Sequence, residues 1–488
     1  MSPAAEPPKK VCVVGAGMSG LAAARELRRE GHAVTVMEQC GDVGGQWLYD
    51  PRTDADDLLG AAVPVKVHGS MYASVRLISP RECMGFSDFQ FVPRCGGAAG
   101  GRDARRFPGR REVYCYLKDF CAAFGLDDAV RLNTRVVRVA MAPQSSGGAA
   151  GDVKWQVTSV RVEPKGGEDG EAVEEVFDAV VVANGHYSQP RLLKIQATRT
   201  DPYRDEVVVI VGCADSGLDI ALDLSGVAKE VHLSAKSVEA ATTTPAVSKM
   251  LANHAGIMRL HPPVGRLCED GRVVFADGSC IVADTVIYCT GYVYSFPFLD
   301  TGGVVTVDDN RVGPLFEHTF PPALAPSLSF VGIPVRVFVP WFLEAQARWV
   351  AQVLSGRAAL PPEQDMLRAV QEDYRAREMA GFPARYSHEI RGFVKRYTDL
   401  PDMEDWKMEL FLTALGNMNE DRETFQDNDD YSNNVREGVH RWLSVAGAQY
   451  QAAISAAAAA PSDGDADADV AQVVPLHKPM PVPLKSEL

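Results

Sequence analysis

The chain has 488 residues, 46% of them apolar and 23% charged, which are the proportions of a folded protein with room for roughly three average domains. A formal charge of −15 excludes a role built on nucleic-acid phosphates, since such binding needs clustered Lys and Arg. The acidity is read as serving solubility. The ten cysteines form no close C-x-x-C pair and no zinc spacing, so they are read as reduced thiols, with no metal centre expected. Residues 1–10 lack an apolar leader and no apolar run reaches membrane-spanning length, so neither a signal peptide nor a transmembrane segment is expected. The terminal Lys485-Ser486-Glu487-Leu488 is similar to a lumenal retention signal, but without a leader to reach that lumen the expected location is cytoplasmic.

In chain order, the first element is the apolar strand Val11-Cys12-Val13-Val14. It runs into Gly15-Ala16-Gly17-Met18-Ser19-Gly20 and a helix from Leu21, the G-x-G-x-x-G pattern in a strand–turn–helix setting. Gly15 makes the tight turn, Gly17 lets a pyrophosphate approach the backbone, and Gly20 lets helix and strand pack closely. The helix N-terminus offers N–H groups and a positive dipole end to the anion. The next strand, residues 34–37, ends at Glu38, where a carboxylate can hold both ribose hydroxyls and would repel a 2′-phosphate. The site therefore suits FAD or NAD rather than NADP. Gly44-Gly45-Gln46-Trp47 follows; alone it is either a plain turn or a second close approach to the nucleotide, and after Glu38 it favours FAD.

A Gly-rich stretch, 96–101, reads as a surface loop, and 112–124 as a helix with Val113, Tyr116, Leu117, Phe120 and Phe124 on one face. Residues 155–162 and 173–176 read as hairpin arms. A second βαβ pattern occupies 207–234: a valine-rich strand, then Gly212-Cys213-Ala214-Asp215-Ser216-Gly217 and a helix over 218–224. Ala214 replaces the middle glycine, and its methyl group would hold a pyrophosphate slightly away. The 23 residues that separate Gly15 from Glu38 lead from Gly212 to Ala235, with Lys236 beside it. Losing a carboxylate and gaining a cation suits a 2′-phosphate, hence NADPH; the competing reading is a Rossmann unit kept as scaffold. Asp277-Gly278 between 273–275 and 281–282 predicts another hairpin.

Two apolar strands bracket this second unit, 178–183 ending in Asn184-Gly185-His186 and 284–289 ending in Thr290-Gly291-Tyr292. An inserted domain needs two such crossings, and ligands lie at the carboxyl ends of strands, so both should line the cleft between the cofactors. His186 is either a proton donor or, more commonly for a histidine, a structural loop residue. After 328–334 a helix is expected from Phe342, its N-terminus placed to favour an anionic reduced flavin, with another helix after Pro362.

With these residues in view the chain resembles the flavin-containing monooxygenases, and within them the plant branch typified by the glucosinolate S-oxygenases. The resemblance covers residues 10 to about 450. It rests on 15–20, on 44–47, on Pro80-Arg81-Glu82-Cys83-Met84-Gly85-Phe86 with Phe91-Val92-Pro93-Arg94, and on Arg111-Glu112-Val113, Asn184-Gly185-His186-Tyr187 and Thr290-Gly291-Tyr292. It implies that NADPH reduces FAD, that reduced flavin and O2 give a C4a-hydroperoxide, and that a thioether sulfur or an amine nitrogen takes the distal oxygen. Such chemistry needs no acid–base pair or metal cluster from the protein. The chain departs from the family pattern in three places. The family's flavin-facing Asn corresponds to Ile78, with Leu77 for Thr, so no catalytic residue is assigned. An F-x-G-x-x-x-H signature expected between Tyr187 and Val207 is missing from the short segment 191–204. The second glycine motif carries Ala214 and Asp215.

The expected fold is α/β, a three-layer flavoprotein with two Rossmann-like domains: a flexible stretch 1–10, an FAD-binding domain over 11–185 and 295–451, an inserted NADPH-binding domain over 186–294, and a disordered low-complexity tail over 452–488. The expected activity is NADPH- and O2-dependent oxygenation of a small soft nucleophile. The alternatives are an uncoupled NADPH oxidase and a catalytically inactive FAD-binding paralogue. A disulfide reductase is disfavoured because Cys40 has no neighbouring cysteine. Substrate and oligomeric state are not legible.

Overall fold

The computed structural model describes residues 7–49, 71–72, 74–93, 102–143, 153–163, 169–189, 203–335, 337–381 and 390–459. The chain opens with β1 (Lys10–Val14), α1 (Met18–Arg29) and β2 (Ala33–Met37), the latter pairing parallel to β1. Next come α2 (Arg110–Ala123), which buries Val113, Tyr116, Leu117 and Phe120 at helical spacing, and β3 (Val130–Arg131). Three antiparallel strands follow, β4 (Thr134–Met141), β5 (Trp155–Arg161) and β6 (Val173–Phe177), the last two being the predicted first hairpin. Then β7 (Ala179–Val182) returns to pair parallel with β1.

The second unit contains β8 (Val207–Val211), α3 (Asp215–Leu224), β9 (Glu230–Ser234), α4 (Val238–Thr242), α5 (Pro245–Asn253) and β10 (Met258–His261). A three-stranded antiparallel sheet follows, of β11 (Val264–Leu267), β12 (Arg272–Phe275) and β13 (Cys280–Val282), which includes the predicted Asp277-Gly278 hairpin. The unit closes with β14 (Thr285–Tyr288), parallel to β8, in the order β10-β9-β8-β14. The chain then supplies β15 (Leu299–Asp300), β16 (Thr306–Asp308), β17 (Arg311–Gly313) and β18 (Leu328–Phe330), and the helices α6 (Val339–Leu354), α7 (Glu363–Met379), α8 (Ile390–Tyr397), α9 (Asp405–Glu420) and α10 (Asn433–Ala459).

β18 joins the first sheet, giving the parallel order β18-β7-β1-β2-β3. Side chains alternate across it. Val11, Val13 and Val181 face a core shared with α1 and α6, whereas Cys12, Val14, Val180 and Val182 face Trp155, Val157 and Val136 of the antiparallel sheet. Helices, parallel sheet and antiparallel sheet make the three expected layers. A strand buried on both faces must be apolar, which explains the apolar runs Val11–Val14, Ala179–Val182 and Val207–Val211 of β1, β7 and β8.

Several boundaries differ from expectation, α1 starting at Met18 rather than Leu21, α2 at Arg110 rather than 112 and α3 at Asp215 rather than 218. α6 starts at Val339, before Phe342, because Pro340 suits a first helical turn. α10 continues through Ala459, past the expected start of a disordered tail at 452, because its alanines have the highest helix propensity of any residue. The glycine loop at 96–101 and the chain from 460 onward lie outside the described residues.

Candidate functional site

The two glycine turns share one frame. Gly15 has φ +104°, its N–H donates to Met37 O at 2.9 Å, and a Cβ there would stand 2.7 Å from Ala183 O. Gly212 has φ +120°, its N–H donates to Ser234 O at 2.9 Å, and a Cβ there would overlap Cys289 O. Each turn is thus wedged between the end of the following strand and the crossing segment behind it. A Cβ on Gly20 would overlap Gly15 O and one on Gly217 would overlap Gly212 O, so both helices lie hard against their own turns.

Gly17 has an ordinary extended backbone, and close approach rather than torsion accounts for its glycine. A Cβ on Gly45 would come within 2.8 Å of Gly17 Cα, and Gly44 N–H donates to Ala16 O at 3.0 Å. The segment Gly44-Gly45-Gln46-Trp47 therefore docks directly on the first turn, pinned by buried Trp47, and is more than a plain bend. Met18 is buried, and Ser19 Oγ lies so near Gly332 that a Cβ there would stand 2.5 Å away. Glu38 is 6% exposed; its carboxylate accepts from Ala16 N–H at 2.7 Å and Cys40 N–H at 2.8 Å. Burial pushes its carboxyl upward against these hydrogen bonds. The acid is therefore held at the turn, within reach of a sugar seated there.

At the second turn Ala214 is extended, with φ −116°, a torsion in which a methyl group costs nothing. Cys213 is half-buried, while Ala214, Asp215 and Ser216 are exposed. Ala235 fills the acid slot and is buried; Lys236 beside it is exposed, and Ser237 caps α4 by accepting from Ala240 N–H at 3.0 Å. Sequence reading missed Arg422, which reaches Asp215 from the end of α9 and makes a 2.8 Å ion pair with it. No local signal links residues so far apart in the chain.

The two crossings meet. Asn184 Nδ2 donates to Ser295 O at 3.2 Å, Val293 N–H donates to Gln189 O at 3.0 Å, and the Tyr187 and Tyr292 rings pack edge-on at 5.5 Å. His186 Nδ1 lies 3.1 Å from Gly332 O; a carbonyl only accepts, so Nδ1 carries the proton and Nε2 is the acceptor. Burial holds its pKa below the usual imidazole value, which disfavours the imidazolium that a proton donor would need. Ile78 sits 37% exposed, between buried Leu77 and Pro80. The segment 191–202, where the family signature was sought, lies outside the described residues. Among the described residues there is no group of three His, Cys, Asp or Glu able to hold a metal, and no helix long and apolar enough to cross a membrane.

The flavin-binding monooxygenase-like family matches residues 8–240 and 245–418. Flavin-containing monooxygenase FMO GS-OX-like 8 of Arabidopsis thaliana is 50% identical over 441 residues, spanning 86% of this chain and 92% of that relative. FMO GS-OX5 of the same plant is 40% identical over 454 residues, spanning 89% and 94%. Among solved structures, S-allyl-L-cysteine S-oxygenase from Allium sativum is similar with a TM-score of 0.76 and 38% identity, covering 90% of this chain and 99% of that one. The chain belongs to the flavin-containing monooxygenases. It is an FAD-dependent, NADPH-using monooxygenase, similar to the plant GS-OX-like branch of that family.

Proposed function

We propose that this chain oxygenates a small thioether, or an amine, at the expense of NADPH and O2. FAD would be held by Gly15, Ala16, Gly17, Met18, Ser19, Gly20, Glu38, Gly44, Gly45, Gln46 and Trp47. NADPH would be held by Gly212, Cys213, Ala214, Asp215, Ser216, Gly217 and Lys236. The flavin-binding part is then 11–185 with 295–451, the inserted part is 186–294, and the cytoplasm is the expected setting. The observation that carries this reading is the pairing of two like-framed glycine turns across hydrogen-bonded crossings, one beside a buried carboxylate, the other beside an exposed lysine. The thioether preference is supported by the similarity to S-allyl-L-cysteine S-oxygenase.

Bound flavin would supply the oxygen-transfer chemistry. The protein's own residues do the rest. The first turn would present backbone N–H groups and a helix dipole to one diphosphate, and Glu38 would hold the adjoining ribose. The empty acid slot at Ala235 leaves room for a 2′-phosphate, which Lys236 offsets. The crossings at 184–189 and 290–295 bring the carboxyl ends of β7 and β14 together and wall the cleft with Tyr187 and Tyr292. Neutral His186 is pinned there by Nδ1–H donating to Gly332 O.

The test measures NADPH consumed against sulfoxide formed from a small alkyl thioether in air. Near-equal amounts are expected. A second reading, an uncoupled NADPH oxidase, is favoured by the apolar Ile78 where the family carries Asn; NADPH consumption yielding only hydrogen peroxide would establish it and defeat the first. Protein that carries FAD which NADPH does not bleach anaerobically would instead be an inactive paralogue.

A further inference from the structure

Helix α3 carries Asp215, Asp219 and Asp223 four residues apart, which places three carboxylates on one face. Asp215 lies in the first turn, beside the glycine bend, whereas the first turn of α1 has no acid. A carboxylate there competes with a diphosphate for the same positive helix end and repels it. Arg422 answers this from another part of the chain, between α9 and a 3₁₀ turn at Phe425–Asp427. Its Nη1 lies 2.8 Å from Asp215 Oδ1, its Nε donates to Asp219 Oδ1 at 3.0 Å, and its Nη2 donates to the Asp215 carbonyl at 3.3 Å. The guanidinium is 4% exposed, whereas the Asp215 side chain is 62% exposed. Neighbouring residues fix the arginine in place: Asp421 pairs with Lys249, and Glu423 accepts from Asn253 Nδ2 at 3.0 Å and meets His254 Nε2 at 3.2 Å, both from α5 and its end. Ser74 Oγ donates to Asp223 at 2.7 Å, completing the seam.

We infer that Arg422 is a positioning residue for NADPH: it turns the Asp215 and Asp219 carboxylates aside and offsets their charge, so that the cofactor diphosphate can occupy the N-terminus of α3. This rests on the reading that the turn at 212–217 takes NADPH. It goes beyond that reading by assigning the site a cation from outside the inserted unit and by giving Asp215 a conditional role.

The experiment is calorimetric titration of NADP+ into the FAD-loaded protein at low salt, with bound FAD read from its absorbance. Arg422→Gln should weaken NADP+ binding about tenfold without loss of FAD, and Arg422→Gln with Asp215→Asn should recover most of that affinity. Arg422→Lys keeps the charge but not the three-donor fork, so it should weaken binding about threefold, and unchanged affinity in it overturns the inference if Arg422→Gln does not fold. Wild-type affinity in Arg422→Gln, or a double variant as weak as the single, overturns the inference; the latter would make Arg422 a docking pin only. If wild type itself fails to bind NADP+, or Lys236→Ala leaves binding unchanged, the NADPH reading of the turn falls first, and that result is separable from the others.

Discussion

Glu38 is the residue on which most of the first site turns. Its two carboxylate oxygens are already engaged by Ala16 and Cys40 N–H groups, so it stands fixed before any sugar arrives. Glu38→Ala removes a charged acceptor and should weaken FAD binding by about 1.5–3 kcal/mol, roughly ten- to a hundredfold, measured by flavin fluorescence on titration of the apoprotein. Retention of wild-type affinity would move the ribose elsewhere. The position of Glu38 was legible because it comes at the end of the strand that follows the glycine turn and α1, a constraint set by local geometry. The close approach of Gly45 to Gly17 was half legible, since two adjacent glycines announce a tight place without saying against what. Arg422 was illegible, because its pairing with Asp215 depends on where α9 ends in space.

At the scale of elements, alternation and turn chemistry identified the hairpins β5–β6 and β12–β13, and helical spacing identified α2 and α6. The ends were less readable: α10 outruns the expected boundary because alanine-rich sequence looks low in complexity yet makes good helix. Side-chain pairing between strands was not readable at all. In the second unit His232 of β9 lies 2.8 Å from His261 Nε2 at the end of β10, and its other nitrogen lies 3.0 Å from Glu230. Burial holds both imidazoles, and that of His186, below their ordinary value of 6.5. The unfolded chain therefore takes up protons that the folded one resists. Stability is full above the unfolded value and is lost as pH falls through and below about 6.5. The thermal midpoint, followed by circular dichroism, should drop over that range, and His232→Gln should make the drop shallower. An equal slope in the variant would assign the acid sensitivity to other groups.

The whole molecule is held together by contacts between segments far apart in sequence. Arg25 of α1 is 2% exposed and pairs with Glu344 of α6 at 2.8 Å and Asp88 at 2.6 Å, while also lying over the rings of Phe86, Phe120 and Phe124. Glu344 is fully buried and accepts from Ser87 N–H at 2.8 Å. Arg25→Met keeps the stem but takes the nearest cation from a buried carboxylate, leaving it Ser87 and the more distant Arg348, so it should cost about 3 kcal/mol in denaturant unfolding. Adding Glu344→Gln should return part of that loss; no return would mean that the carboxylate is stabilised without its partner.

The carbonyls that back the two glycine bends, Ala183 O and Cys289 O, belong to the strand ends at which, on the proposed division, the second unit joins the first. Joint and floor are thus one piece of backbone. A chimera that exchanges the inserted unit between relatives must cut outside both stretches, before β7 and beyond residue 295. A seam placed at the strand ends would deform the two bends proposed to seat the nucleotides.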